Sequence, residues 1–199
     1  MHPPTIVFQD RFFLVVDKPA GLPTQSPKGG GDNLYDALRG EHNYVGLHHR
    51  LDTPVSGLVL FTLHKSVNAS IAAGFRDHSI KRAYRALVLG NLPAAGTWDQ
   101  DLEGKTAVTH FAPSAPQATV PEHFTTARVP GRTTVLDIRL ETGRTHQIRR
   151  HASDAGHPIL GDKRHGGVAG RLSPKICLRA VELGFWHPNR EEWVQVDAE

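Results

Sequence analysis

Short apolar segments bounded by turn residues recur along the chain, and they predict most of its strands. In FFLVVD, GLVLFTL, YRALVL and TTVLDIRL the apolar residues either follow one another or alternate with polar ones. Both patterns are typical of β-strands that bury one or both faces. The predicted strands cover residues 12–17, 57–63, 84–89, 133–140, 176–185 and 193–196.

Three other segments repeat apolar residues every three or four positions, which predicts helices. Asp32 or Asn33 is a candidate N-cap for the first helix, and Ser66 is expected to cap the second. A third helix is predicted over residues 145–155, with Gly156 ending it. The apolar positions that support these helices are Leu34, Ala37, Leu38, Val67, Ile71, Phe75, Ile148, Ala152 and Ala155.

The predicted strands outnumber the predicted helices, and the helices are scattered among them. This arrangement is typical of an α+β domain built on one large sheet. Residues 26–33 are expected to form a flexible loop, and residues 112–130, rich in Pro, Ala and Thr, a loop with one strand in it. No repeat or composition boundary divides the chain, so we expect a single domain over residues 1–199.

The composition is that of a globular protein. The 199 residues are 39% hydrophobic and 22% charged, enough apolar material for a core. Cys177 is the only cysteine, which excludes an internal disulfide and makes a reducing compartment the expectation. Asp10 and Arg11 stand where a secretory signal needs apolar residues, and the longest apolar run, 55–63, is too short to span a bilayer. We therefore expect a soluble cytoplasmic protein that does not associate with membranes.

Positive charge is concentrated in one part of the chain. Between Arg139 and Arg179 there are nine basic and three acidic residues, which gives this stretch a formal charge of +6. The whole chain has a formal charge of +3, so the remaining residues together carry −3. Such a block indicates a polyanion partner, most often nucleic acid. A solvated basic face explains the charge equally well at this point.

A first concentration of reactive residues is HHRLDTPVSG, residues 48–57, directly before a predicted buried strand. Asp52 lies there between a loop and a core strand, a position suited to a preorganised carboxylate. The alternative is a structural aspartate that caps a turn through its own backbone or through Ser56, and the residues alone favour that alternative.

The second concentration is LETGRTHQIRRH, residues 140–151, where a strand leads through a glycine turn into the predicted third helix. Arg144 is expected at the start of that helix. A guanidinium beside the N–H groups of a helix N-terminus forms a site for a phosphate or a carboxylate. A surface helix with ordinary basic residues is the alternative.

Other chemistries have weak support. The glycines at 29–31 lack the Lys-Ser/Thr of a phosphate loop, and no GxGxxG follows a strand, so no nucleotide cofactor is expected. His146 and His151 are five residues apart, about 140° around a helix, unlike a helical zinc pair. Ser56 lacks the GxSxG context of a serine nucleophile. We expect neither a metal nor an organic cofactor.

Taken together, several motifs resemble the RluA family of RNA pseudouridine synthases. They are VVDKPAG near the N-terminus, HRLD followed by SG and a strand, KRAYRALVLG, LETGRTHQIRRHASDAGHPILGD, and CLRAVELGFWHP near the C-terminus. The motifs occur in the family's order from about Val7 to Pro188. The resemblance favours the polyanion interpretation of the basic block, with RNA as the partner.

The resemblance also implies the fold and the reaction. The fold is a single α+β catalytic domain on a large mixed, mainly antiparallel sheet with flanking helices and an active-site cleft across the sheet. The reaction isomerises uridine in RNA to pseudouridine without a cofactor. Asp52 is the implied catalytic aspartate, Arg144 its arginine partner, and Tyr84 the tyrosine that packs against the flipped base. From the residues alone, Tyr84 would be a core aromatic.

The resemblance further implies how RNA is held. Arg50 matches the arginine that enters the space left by the flipped uridine, a task suited to a planar cation. Arg149, Arg150, Lys163 and Arg164 are expected to contact phosphates, and His146 and Gln147 are further RNA-binding candidates.

Departures from the family pattern bear on the substrate. Val55 replaces the usual Thr, and His165 occupies a place often held by Tyr. Several positions are closer to the tRNA-directed, TruC-like branch, so tRNA is favoured over rRNA. We expect a monomer without an obligate protein partner or an appended RNA-binding domain. An rRNA-directed synthase, a non-catalytic RNA-binding or RNA-folding protein, and a histidine-based hydrolase or metalloenzyme remain the alternatives.

Overall fold

The structure is a computed structural model that describes residues 4–26, 30–115, 122–125 and 131–198. The chain divides into two compact units. The first comprises Met1–Arg82 with Ala180–Glu199, and the second comprises Ala83–Arg179. No helix in the described ranges is long and apolar enough to cross a membrane.

The strands and helices follow one another along the described ranges. The strands are β1 (Thr5–Gln9), β2 (Phe13–Lys18), β3 (Gly46–Leu47), β4 (Ser56–Thr62), β5 (Lys81–Leu89), β6 (Gly96–Trp98), β7 (Thr109–Pro113), β8 (Thr133–Leu140), β9 (Leu178–His187) and β10 (Glu192–Asp197). The α-helices are α1 (Leu34–Glu41), α2 (Asn68–Arg76), α3 (Glu122–Thr125) and α4 (Gln147–Asp154), and short 3₁₀ helices cover Lys65–Val67 and Gly167–Arg171.

The first unit is organised around β2 and β4. Their unbroken apolar runs make central strands with both faces buried, and they pair antiparallel with Val15 opposite Leu60. β1 lies beside β2, and β9, itself paired with β10, lies on the other side of β4. Ile71 of α2 and Phe185 of β9 join the core formed by these strands. The loop that contains Asp52 leads directly into β4, so it starts from the most buried strand of this unit.

In the second unit the strand order is β5-β8-β7-β6, all paired antiparallel. Tyr84 of β5 lies opposite Ile138 of β8, and Phe111 of β7 lies opposite Ile138 on the other side. α4 packs against β7 and buries Ile148. Because α4 follows β8 after a short loop, that loop and the start of α4 lie beside β7.

The predicted fold class, α+β on a large and mainly antiparallel sheet with flanking helices, is confirmed. All six predicted strands are present, with shifted ends. β1, β3, β6 and β7 were not predicted as separate strands. Of the predicted loops, residues 27–29, 116–121 and 126–130 lie outside the described residues. One catalytic domain over residues 1–199 stays a prediction.

The helix caps confirm one prediction and correct another. Asn33 caps α1 through a hydrogen bond accepted from the N–H of Asp36. Ser66 does not cap the second helix as predicted. Instead the Nδ1 atom of His64 accepts the N–H of Ser66 and begins a 3₁₀ turn that leads into α2. The imidazole supplies the acceptor two residues earlier than the hydroxyl was expected to.

Gly57, directly after the start of β4, is required by both its backbone conformation and its surroundings. Its φ is +113°, and a Cβ atom built on it would lie 2.1 Å from the carbonyl oxygen of Ala180. The missing side chain therefore lets the backbone of β4 approach Ala180 of β9.

Replacing Gly57 by Ala is expected to lower the free energy of unfolding by about 2–4 kcal/mol, through φ strain and the clash with backbone atoms. Gly31→Ala is the matched control because Gly31 has a similar φ of +119° but open space around it. Urea unfolding of both variants measures the difference. Equal, small losses in the two variants would contradict the close approach at Ala180.

Candidate active site

Asp52 lies in the first unit on a loop that is anchored on both sides. The hydroxyl of Thr24 donates to the carbonyl of Leu51 over 2.9 Å and accepts the N–H of Leu51 over 3.2 Å. On the other side, the N–H of Gly21 donates to the carbonyl of Thr53 over 2.8 Å. The Asp52 side chain is half-buried. The segment after β2 thus holds the residues before and after this carboxylate in place.

Lys18 at the end of β2 is fully buried, and its ammonium group connects the same two segments. Its Nζ atom donates to the carbonyls of Leu22, Pro19 and Thr53 over 2.8, 3.1 and 3.3 Å. Burial lowers the pKa of Lys18 to about 8, while the carboxylates of Asp52 and Asp17 act in the opposite direction.

Lys18 was not among the residues predicted for the site. Its signal was present in VVDKPAG, where a lysine continues a buried strand and precedes a proline. Lysine is almost never fully buried unless its charge has partners, so a lysine at that position indicates partners nearby.

The two histidines before Arg50 have structural contacts. The Nε2 atom of His49 accepts the N–H of Leu60 over 2.8 Å, and its ring stacks on Phe75 with centroids 4.6 Å apart. Burial, followed by the charge of Arg82, lowers the pKa of His49 to about 3, so its imidazole is neutral. Burial also lowers the pKa of His48. Arg50, the next residue, is exposed.

In the second unit, Gln147 organises the loop that carries Arg144. Its Oε1 atom accepts the N–H of Arg144 over 2.9 Å and the hydroxyl of Thr142 over 2.7 Å. Its Nε2 atom donates to the carbonyl of Val108 and to the hydroxyl of Thr109. All the donors and acceptors of this amide therefore hold the loop against β7. Gln147 is buried, and its hydrogen bonds position this loop. Its predicted contact with RNA stays a prediction.

Arg144 itself is exposed, and its Nε atom donates to the carbonyl of Thr106 over 2.9 Å. The prediction that Arg144 begins the helix is corrected, because α4 starts at Gln147. His146, the residue before the helix, has a left-handed backbone conformation with φ of +55°. Its Nδ1 atom forms a hydrogen bond of 2.9 Å with the Nε2 atom of His165. The helix terminus therefore lies three residues beyond Arg144.

Arg149 forms an internal ion pair, and its predicted contact with phosphate stays a prediction. Its guanidinium forms a bidentate pair with Asp162, with both N–O distances 2.8 Å, and both side chains are buried. Burial raises the pKa of Asp162, but hydrogen bonds from Arg149 and from the N–H groups of His165 and Arg164 outweigh it and hold that pKa below its ordinary value.

The remaining predicted residues have different surroundings. Tyr84 is 7% exposed on β5. Arg150 pairs with Glu103 over 2.8 Å and is about a quarter exposed. Lys163 and Arg164 are exposed.

In the described ranges, no group of three or more His, Cys, Asp or Glu side chains is arranged to hold a metal ion. Asp52 and Arg50 belong to the first unit, and Tyr84 and Arg144 to the second.

A family model described as RNA pseudouridylate synthase matches residues 12–154. The chain belongs to the RNA pseudouridylate synthase family. The match includes both segments in which reactive residues are concentrated, and it confirms the predicted resemblance. It also confirms the predicted class of enzyme, an isomerase of the pseudouridine synthase type.

Individual relatives of this pseudouridine synthase carry several substrate names. It is 36% identical to the dual-specificity RNA pseudouridine synthase RluA of Pasteurella multocida, over 98% of this chain and 95% of the relative. It is 35% identical to the ribosomal large subunit pseudouridine synthase D of Zymomonas mobilis, covering 69% of that protein. It is 31% identical to the tRNA pseudouridine synthase C of Vibrio vulnificus, covering 89% of that protein.

Among solved structures, the human RNA pseudouridylate synthase domain containing 1 matches with a TM-score of 0.79 and 25% identity. The match covers 100% of this chain and 86% of the human one. The human RNA pseudouridylate synthase domain containing 4, at 20% identity and a TM-score of 0.71, shows the same fold.

Replacing Lys18 by Met is expected to change the pH dependence of folding. The group titrates at about 8 in the folded chain and near its ordinary 10.5 when unfolded, so the unfolded chain binds more protons between those values. The wild type should therefore gain stability as the pH rises from about 8 to about 10.5, by roughly 3 kcal/mol, and the variant should not. Urea unfolding of the wild type and the Lys18→Met variant across this pH range measures the difference. Lys81→Met is the control, because it removes an exposed ammonium group. Parallel curves for wild type and Lys18→Met would contradict the burial of the ammonium group.

Replacing Arg149 by Met is expected to cost about 3–5 kcal/mol of unfolding free energy, because it leaves the carboxylate of Asp162 buried without its cation. Arg164→Met removes a neighbouring exposed guanidinium and should change stability by less than about 0.5 kcal/mol. Denaturant unfolding of both variants makes the comparison. A small loss for Arg149→Met would restore it as a candidate for direct phosphate contact.

Proposed function

We propose that this enzyme converts specific uridines of structured RNA to pseudouridine, with Asp52 as the essential carboxylate and tRNA favoured as the substrate. The observation that carries the proposal is the construction of the Asp52 loop. Thr24, Gly21 and the buried ammonium of Lys18 hold that loop at the residues on either side of Asp52. A merely structural aspartate capping a surface turn would not need a buried cation beneath it.

The reaction is an isomerisation, and it balances without an added reagent. The bond between N1 of the base and C1′ of the ribose breaks, the base turns, and a bond between C5 and C1′ forms. The hydrogen on C5 leaves as a proton and N1 gains one. Asp52 acts either by attacking carbon or by removing a proton from the sugar, and both roles require the ionised form.

The other residues are assigned on their surroundings and on the family resemblance. Arg50, exposed two residues before Asp52, is proposed to occupy the space that the flipped uridine leaves in the RNA. Tyr84 is proposed to present its ring to the extruded base. Arg144 is proposed as the cation that pairs with Asp52 during the reaction, held in place through the hydrogen bond between its N–H and Gln147.

The choice of tRNA is supported by the relatives with dual-specificity and tRNA names at 31–36% identity. A large-subunit rRNA substrate is the second candidate, favoured by the 35% identity to a ribosomal large subunit synthase. Lys163, Arg164, Arg150 and His146 are retained as RNA contacts. We further propose that the enzyme works in the cytoplasm as a monomer, without an obligate protein partner or cofactor.

Deleting the gene is expected to remove pseudouridine from at least one uridine of tRNA, or of rRNA if the second candidate is right. Carbodiimide primer-stop mapping of total tRNA and rRNA detects the loss. Wild type should restore the site fully and Asp52→Asn should not, because an amide cannot supply the carboxylate chemistry.

Asp32→Asn is the matched control, because it changes an exposed carboxylate two residues before α1. This variant should restore pseudouridine at the affected uridine. Restoration by Asp52→Asn would contradict the catalytic role of Asp52. Unchanged maps after deletion would instead favour the non-catalytic RNA-binding alternative.

A further inference from the structure

An open groove of about 840 Å³ lies within the second unit, on the loop and 3₁₀ helix that follow Asp162. Lys163 and Arg171 line it, together with Gly167 and Gly170. Both cationic side chains are exposed. Gly167 has open space where a side chain would be, so a ligand can come close to the backbone there.

The charge around this groove is of one sign. Residues 163–179 contain five basic residues and no acidic one. Across the described ranges, neither Lys163 nor Arg171 forms an ion pair, whereas Arg149 and Arg150 are each paired with a carboxylate. The positive charge of this groove is therefore available to a ligand, while part of the charge on α4 is already paired with carboxylates of the protein.

The groove is held rigidly before any ligand binds. The carboxylate of Asp162 accepts the N–H groups of Arg164 and His165, both over 3.1 Å, and its carbonyl accepts the N–H of Gly166 over 2.7 Å. A Cβ atom on Gly170 would lie 2.7 Å from that same carbonyl oxygen. The 3₁₀ helix thus packs directly on the Asp162 loop, which Arg149 anchors.

The lining residues that follow the 3₁₀ helix are also held by hydrogen bonds. The N–H of Leu172 donates to the carbonyl of Ala169 over 3.1 Å, and the hydroxyl of Ser173 donates to the carbonyl of Lys175 over 2.7 Å. Because the backbone of the lining segments is held by these bonds, a ligand loses little binding energy to ordering the protein.

We propose that this groove binds the phosphodiester backbone of the RNA substrate, with Lys163 and Arg171 each contacting a phosphate. The inference rests on the proposed function for the identity of the polyanion. Lysine supplies a point charge and arginine a planar fork, both suited to phosphate oxygens. Among the residues that the structure describes, no aromatic side chain lines the groove, so these residues offer no platform for stacking a base. It therefore positions RNA without reading its sequence.

The test measures how RNA affinity depends on salt. A fluorescein-labelled RNA stem–loop is titrated with wild type and with the Lys163→Gln/Arg171→Gln double variant across a KCl series. Losing two phosphate contacts should reduce the slope of log Kd against log[KCl] by roughly 1.5 and weaken binding by about ten-fold or more at moderate salt. Lys81→Gln/Arg132→Gln, which removes two exposed charges elsewhere, is the matched control with the same net charge.

A slope for the groove variant equal to that of the control would overturn the proposal, because the effect would then come from net charge alone. Equal urea midpoints for both double variants establish that folding is intact. Pseudouridine formation by the same wild-type preparation is assayed separately. Groove-dependent RNA binding without pseudouridine formation would contradict the proposed function and leave the phosphate groove standing.

Discussion

The ammonium group of Lys18 connects the core of the first unit to the loop that carries Asp52. It is fully buried and donates hydrogen bonds to three backbone carbonyls. One of these carbonyls belongs to Thr53, the residue after Asp52. A buried cation without such partners would cost several kcal/mol, so the carbonyls must stay where they are. The position of the Asp52 loop and the charge beside its carboxylate therefore have one common cause. Thr24 and Gly21 strengthen the same connection from either side.

The basic block in the second unit divides into two groups with different tasks. Arg149 is paired with Asp162, and Gln147 is hydrogen-bonded to the loop before α4, so both side chains hold the surface in place from inside. Lys163 and Arg171 carry no such pairing within the described ranges and line an open groove. The pair of Arg149 and Asp162 helps to position the loop that carries Lys163, because the carboxylate of Asp162 also accepts the N–H groups of Arg164 and His165.

The sequence predicted the central strands because their apolar runs are unbroken. β2 and β4 were found from that pattern, and β8 from the alternation of apolar and polar residues in TTVLDIRL. β6 is three residues long and β7 contains polar residues, so neither has a clear period. Asp52 and Arg144 were found through motifs. The burial of Lys18 and that of Arg149 were not predicted for the same physical reason, because the burial of a charged side chain depends on partners distant in sequence.

The proposed role of the Asp52 carboxylate in the isomerisation can be tested by following the hydrogen on C5 of uridine. An RNA transcript with tritium at C5 of uridine releases that tritium to water only when C5 becomes bonded to C1′. With enzyme in excess over tRNA, the wild type should release tritium in a single turnover. Asp52→Asn should release none above buffer while binding the transcript with unchanged affinity. Tritium release by Asp52→Asn at the wild-type rate would contradict the account.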